Sequence, residues 1–155
     1  LEHFQDRSTT AATFSRVTLD ARRYQSLGSP RHVIALHGFA SAVAGCSGEQ
    51  VPAFLRSSLG GGSTLRGFSR DRFTGDQLFA LSAEYRFEVF PSWELAPFYD
   101  LGQAWGGMAR LNTPGVVTSY GLGLRFKTAN QVLVRLDAGR GTDGTRVHLK
   151  FGYSF

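Results

Sequence analysis

The chain has little sulfur and no long apolar run, and each shortage removes a class of protein. A single cysteine, Cys46, in 155 residues excludes an intramolecular disulfide framework and a cysteine-based zinc site. No uninterrupted apolar stretch approaches the roughly 18–20 residues of a membrane helix, and mean hydropathy is −0.14, so a helical membrane protein is excluded. A membrane β-barrel is not, because alternating strands dilute hydrophobicity to an ordinary average. The Gly-Lys-Ser/Thr of a phosphate loop is absent, as is the Gly-x-Ser-x-Gly nucleophile elbow. His3, His32, His37 and His148 stand at no metal-ligand spacing. No catalytic residue, metal or cofactor is expected, and the chain reads as a non-enzyme. Its net charge is +5, but Arg16, Arg22, Arg86, Arg125, Arg135 and Arg146 are spread singly rather than gathered on one element, which argues against nucleic acid as a partner. The opening Leu1-Glu2-His3-Phe4 has no initiating Met and no charged-then-apolar leader, and it reads as the interior of a longer protein.

What is abundant is glycine, at 19, and phenylalanine, at 13, a bias that suits tight turns and a sheet with aromatic outer positions. Roughly seven segments alternate apolar and polar residues at period two, the mark of strands with two unlike faces. The clearest runs from Gln77 to Phe90: Phe79, Leu81, Ala83, Tyr85, Phe87 and Val89 share one face, and Leu78, Ala80, Ser82, Glu84, Arg86 and Glu88 the other. Val147, Leu149, Phe151, Tyr153 and Phe155 likewise oppose Arg146, His148 and Lys150. Tyr120, Leu122, Leu124 and Phe126 oppose Arg125 and Lys127; Val134, Leu136 and Ala138 oppose Arg135 and Asp137. Noisier strands are expected from Thr13 to Tyr24 and His32 to Val43. The segment Glu94–Trp105 carries Pro97, which costs a ladder donor and predicts a bulge or weak pairing. Leu1–Gln5 reads as the stub of one more strand.

Alternation also fits a soluble β-sandwich, and three further features favour a membrane barrel over it. The polar face is charged while the apolar face ends in aromatics, Tyr24, Tyr85, Trp105, Tyr153 and Phe155, as lipid-side girdles around a polar lumen do. The connections alternate between short (26–30, 91–93, 128–130) and long (45–76, 106–114), with the short hairpin at Asp143-Gly144 a mild exception. The chain stops on Phe155, in phase with the apolar face. Bacterial single-chain barrels have even strand counts, and an open seven-stranded sheet would leave two raw edges in lipid, so the segment reads either as the C-terminal part of a larger barrel or as one of several chains that close a barrel together.

The gap from Gly45 to Asp76 far exceeds the ~12–15 residues beyond which structureless loops are uncommon and usually functional. It holds Gly60-Gly61-Gly62-Ser63 and then Leu65-Arg66-Gly67-Phe68. Glycines permit a sharp reversal, and the planar fork of Arg66 suits bidentate capture of a carboxylate. Asp100 and Glu84 both fall on polar strand faces, as do Phe98 and Gly102. Gly102 would clear room for a loop tip and Phe98 would give it an apolar contact. Against this stands the plain reading of a flexible Gly/Ser linker with a solvated arginine.

Together these residues resemble the C-terminal barrel of the outer-membrane assembly-factor superfamily, the BamA/TamA-like surface antigen family, which also includes two-partner secretion transporters and chloroplast translocation channels. The loop motif, an aliphatic residue followed by Arg-Gly-Phe/Tyr, is matched by Leu65, Arg66, Gly67 and Phe68. The wall motif, Phe/Gly-x-Asp-x-Gly, is matched by Phe98, Asp100 and Gly102, and the glutamate on the strand after the loop by Glu84. The closing strand, with Phe151, Tyr153 and Phe155, is similar to the family's insertion signal. Leu65 departs from the more usual Val or Ile. The resemblance implies an all-β, antiparallel transmembrane barrel, of which residues 1–155 form the C-terminal portion, about seven or eight strands of sixteen. Residues 45–76 would fold into the lumen, and no POTRA domain is present. It implies integral residence in the bacterial outer membrane and an Arg66–Asp100 lock between loop and wall. Its partners would be outer-membrane lipid, unfolded outer-membrane or secreted proteins, and accessory assembly proteins reached through N-terminal domains. A passive porin-like diffusion channel and a two-partner secretion transporter for one dedicated substrate are the alternatives.

Overall fold

Period-two alternation becomes strand along most of the chain. The computed structural model describes residues 2–4, 14–45, 56–106, 115–128 and 131–152. They form β1 (Glu2–Phe4), β2 (Phe14–Ser26), β3 (His32–Gly45), β4 (Ser57–Leu59), β5 (Phe73–Gly75), β6 (Gln77–Phe90), β7 (Trp93–Trp105), β8 (Val117–Lys127), β9 (Val132–Gly141) and β10 (Gly144–Phe151), with no helix among the described residues. Eight strands make one sheet in the order β1-β2-β3-β6-β7-β8-β9-β10, and β4 pairs with β5 in a separate two-stranded ribbon. Every pairing is antiparallel. The eighth strand of the main sheet is the short N-terminal stub, whose Glu2 lies opposite Arg16. Among the described residues β1 and β10 stand at the two ends of the sheet. At ~3.4 Å per residue a strand of 13 residues, such as β2 or β7, runs about 45 Å. Tilted at ~40°, it spans an apolar band of about 25 Å with residues to spare at both ends.

Directly opposed residues on antiparallel strands share a face, so the register defines two surfaces. One row runs Tyr24, Ala35, Glu84, Phe98, Gly121, Gly139, Arg146. The adjacent row runs Arg23, Leu36, Ala83, Tyr99, Tyr120, Arg140. The first row belongs to the inner surface, which the loop between β3 and β6 covers: Ala96, Phe98, Asp100, Ala104, Ser119, Arg125, Arg135 and Asp137 are all buried there. The second belongs to an outer surface of exposed apolar groups, among them Leu81, Tyr99, Tyr120, Leu122 and Phe151. Large contiguous exposed apolar area is unfavourable in water and is what lipid requires.

Aromatic groups cluster at both ends of the outer surface. Near the short turns, Tyr85 stacks on Phe87 at 5.7 Å and Trp93 meets Phe126 at 5.1 Å, while His32 bonds the Tyr85 hydroxyl at 2.7 Å. Near the long loops, Phe79 and Trp105 meet edge to face at 6.0 Å. Such rings favour the boundary between headgroup and hydrocarbon. Tyr24 corrects the expected girdle. It shares the inner face with Asp20 and Arg22, and the Arg86 guanidinium lies 5.3 Å from its ring. Its phase, set by pairing with Ala35, overrides its aromatic character. Pro97 interrupts pairing without shifting it: the β6–β7 register skips Tyr85 and Arg86 and resumes unchanged at Phe87, and the irregularity falls between Glu88 and Phe90, beside the turn.

Candidate functional site

The long loop is a folded object with its own apolar underside. Its β4–β5 ribbon pairs Leu59 with Phe73, and Gly60 and Gly61 reverse the chain at φ of 123° and 82°, values open to glycine at little cost. Leu59, Leu65, Phe68 and Phe73 pack with Leu78, Ala80, Ala104 and Val117 of the wall into one buried cluster, with Phe68 and Phe73 edge to face at 5.0 Å. Each fully buried side chain of this kind contributes about 1.5–3 kcal/mol, so the glycine run is a turn in a packed loop, not a linker.

That packing seats Arg66. Its backbone N–H and its Nε each donate to Asp100 Oδ2 at 3.0 Å, and Nη2 donates to Asp100 Oδ1 at 2.6 Å. Nη1 donates to Glu84 Oε2 at 2.7 Å and Nη2 to Ser82 Oγ at 2.8 Å. The guanidinium carbon sits 3.4 Å above the centre of the Phe98 ring, a cation–π contact shielded from water. Ser82 and Ser119 hydroxyls donate to Asp100 at 2.7 and 3.3 Å. Arg66 is 3 % exposed and Asp100 not at all. Each partner satisfies the other, which is the condition for burying charge without a large penalty.

Glu84 is the centre of a wider network. Besides Arg66 it meets Arg86 Nε at 2.6 Å, Arg125 Nη2 at 2.7 Å and Arg135 Nη2 at 3.6 Å. Arg135 in turn donates to Asp137. Arg125, fully buried, contacts Glu84 off the hydrogen-bond direction, and none of its guanidinium nitrogens makes a hydrogen bond among the described residues. Four arginines from the loop, β6, β8 and β9 thus surround one carboxylate.

β10 grips the loop as well. His148 Nε2 lies 2.9 Å from the Arg66 carbonyl oxygen, and Lys150 Nζ donates to the Gly62 carbonyl at 3.0 Å. At the rim, Arg72 pairs with Asp143 in the β9–β10 turn at 2.6 Å.

The structure places Gly67, Phe68, Glu84, Phe98 and Asp100 around Arg66 and gives Gly102 a different neighbour. A Cβ on Gly102 would come within 2.8 Å of the Phe79 carbonyl oxygen and 3.2 Å of Leu59 Cδ1, so its space serves the adjacent strand β6 and the β4 leucine, not the Arg66 tip. The tip rests on β9: a Cβ on Gly139 would come within 2.6 Å of the Arg66 carbonyl group, and one on Gly141 within 2.8 Å of the Phe68 ring. Phe151 ends β10 on the outer face, exposed; Cys46, Tyr153 and Phe155 lie outside the described residues. Sequence reasoning missed Ser82, Ser119, Gly139 and Gly141, for which a small residue on a polar strand face is the only signal. Replacing Gly139 with Ala is expected to lift the tip and lower thermal stability in detergent by about 1–3 kcal/mol, the usual cost of overpacking. Gly115→Ala, with no described atom within 4 Å, serves as the neutral control. Equal melting of the two variants would show that the tip does not depend on this clearance.

Amphipathic antiparallel strands with aromatic ends, and a charged inner face crossed by the chain's own loop, are the features of part of a transmembrane β-barrel of the outer-membrane kind. The model of the Omp85 superfamily domain matches residues 6–155, and the chain belongs to that superfamily. No individual curated protein matches it significantly. Members of the superfamily insert proteins into the outer membrane or carry them across it.

Proposed function

We propose that the chain is the barrel portion of an outer-membrane protein insertion or translocation factor, and that contact between Arg66 and Asp100 locks the β3–β6 loop to the wall. In this reading residues 1–155 are the C-terminal part of a larger barrel. The lock holds β6–β10 in one arrangement while a substrate strand adds to a free sheet edge by β-augmentation. The observation that carries the reading is the buried loop arginine, bonded to carboxylates of two adjacent wall strands while its own carbonyl is held by the last described strand.

The test is depletion of the full-length protein in its host, followed by measurement of the folded, heat-modifiable fraction of other outer-membrane barrels. That fraction is expected to fall, and wild-type protein but not Arg66→Ala should restore it. Unchanged barrel assembly together with steady ohmic conductance in planar bilayers would identify a diffusion channel. Loss confined to one secreted protein would identify a dedicated transporter.

A further inference from the structure

The outer surface is not uniform. Between β2 and β7 it holds a groove of about 480 Å³, floored by the small residues Ala21, Gly38 and Ala83 and walled by Leu36, Leu81 and Tyr99. Ala21 lies opposite Gly38, and Gly38 opposite Leu81, so the depression follows from a missing side chain in the middle of a leucine-rich face. Arg23 stands at its mouth, exposed, and bonds no described residue. A cation on the lipid-facing side of a barrel is costly at the midplane and tolerated near the interface, where the cost falls to ~0–1 kcal/mol. Arg23 lies three residues from the end of β2, about 10 Å along the strand. It sits at the end that carries the short turns and the Tyr85, Phe87 and Trp93 aromatics. The groove runs from there toward Gly38 and Leu101, into the apolar band.

We propose that this groove binds one anionic glycerophospholipid of the leaflet at the short-turn rim, with its phosphate on Arg23 and an acyl chain over Gly38. The order of groups matches the order in the lipid: cation at the headgroup level, then small residues bounded by leucines along the chain. The guanidinium supplies charge-assisted hydrogen bonds that a phosphate accepts in pairs. The inference rests on the outer surface facing lipid, and it is independent of the loop contacts.

The test uses the full-length protein in a zwitterionic detergent, offered phosphatidylglycerol and phosphatidylcholine with identical acyl chains in equal amounts. Intact-complex mass spectrometry then counts the retained lipid. One phosphatidylglycerol should be kept at least fivefold over phosphatidylcholine. Arg23→Gln should abolish that preference while lipid of either kind is still bound. Gly38→Leu and Ala83→Leu, which fill the groove, should lose both, with heat-modifiable migration on a gel showing that each variant is folded. Equal retention of the two lipids by wild type, meaning annular lipid only, overturns the site. So does a preference that survives Arg23→Gln. A protein that stays monodisperse without detergent would instead overturn the membrane assignment beneath it.

Discussion

Arg66→Ala and Asp100→Ala, made singly in the full-length protein, should each cost about 3–5 kcal/mol of stability, because each strands a buried charge. The double variant should lose less than the sum, by about 3 kcal/mol, since the second removal takes away a group already unpaired. Unfolding monitored by heat-modifiable migration measures all three, and trypsin cleavage after the exposed Arg70 reports whether the loop has come off the wall. Strict additivity would show that the contact carries no coupling energy, and the proposed lock would be withdrawn. Coupling should remain incomplete for a structural reason: the Arg66 backbone N–H also donates to Asp100, and alanine at position 66 keeps that bond. Arg66→Lys should not rescue. One ammonium cannot present the fork that reaches Asp100, Glu84 and Ser82 together.

Glu84→Gln should be at least as damaging, at about 3–5 kcal/mol, although it changes neither volume nor shape. It withdraws the carboxylate from among Arg66, Arg86, Arg125 and Arg135, leaving them to Asp100 and Asp137. The charge imbalance points to its own remedy. Arg125 is the most buried of the four and the least well bonded, so Glu84→Gln with Arg125→Met should melt higher than Glu84→Gln alone, in line with hydrophobic replacement of buried ions. If the methionine lowers the melting temperature further, Arg125 is held by more than Glu84 and the hub description fails.

How much of this was legible in the chain differs by strand. In β6 the alternation of Phe79, Leu81, Ala83 and Tyr85 with Ser82, Glu84 and Arg86 fixes both faces, and burial follows the same phase. In β2 it does not, because an aromatic, Tyr24, shares the inner face with Asp20 and Arg22; only pairing with β3 resolves it. The three-residue strands β4 and β5 are shorter than any period can reveal. Arg125, Arg135 and Asp137 could be placed on polar faces one strand at a time. Their convergence on Glu84 could not, since it depends on how far each strand is staggered against the next. The loop's apolar underside was hidden for another reason: Leu59, Leu65, Phe68 and Phe73 have no common spacing, and meet only once the glycines have turned the chain.

The two bonds from β10 to the loop both end on main-chain carbonyls, those of Arg66 and Gly62. β10 therefore senses the path of the loop rather than its side chains. Mechanically the loop acts as a rivet set across a zipper. A force that peels β10 from β9 would open the ladder one pair at a time, but at His148 and Lys150 it must also shear a side-chain bond anchored in a packed body. Resistance to opening is thus concentrated at His148 and Lys150, in the short-turn half of β10, while the other end of the strand is joined to β9 by a hairpin that Arg72 pins through Asp143.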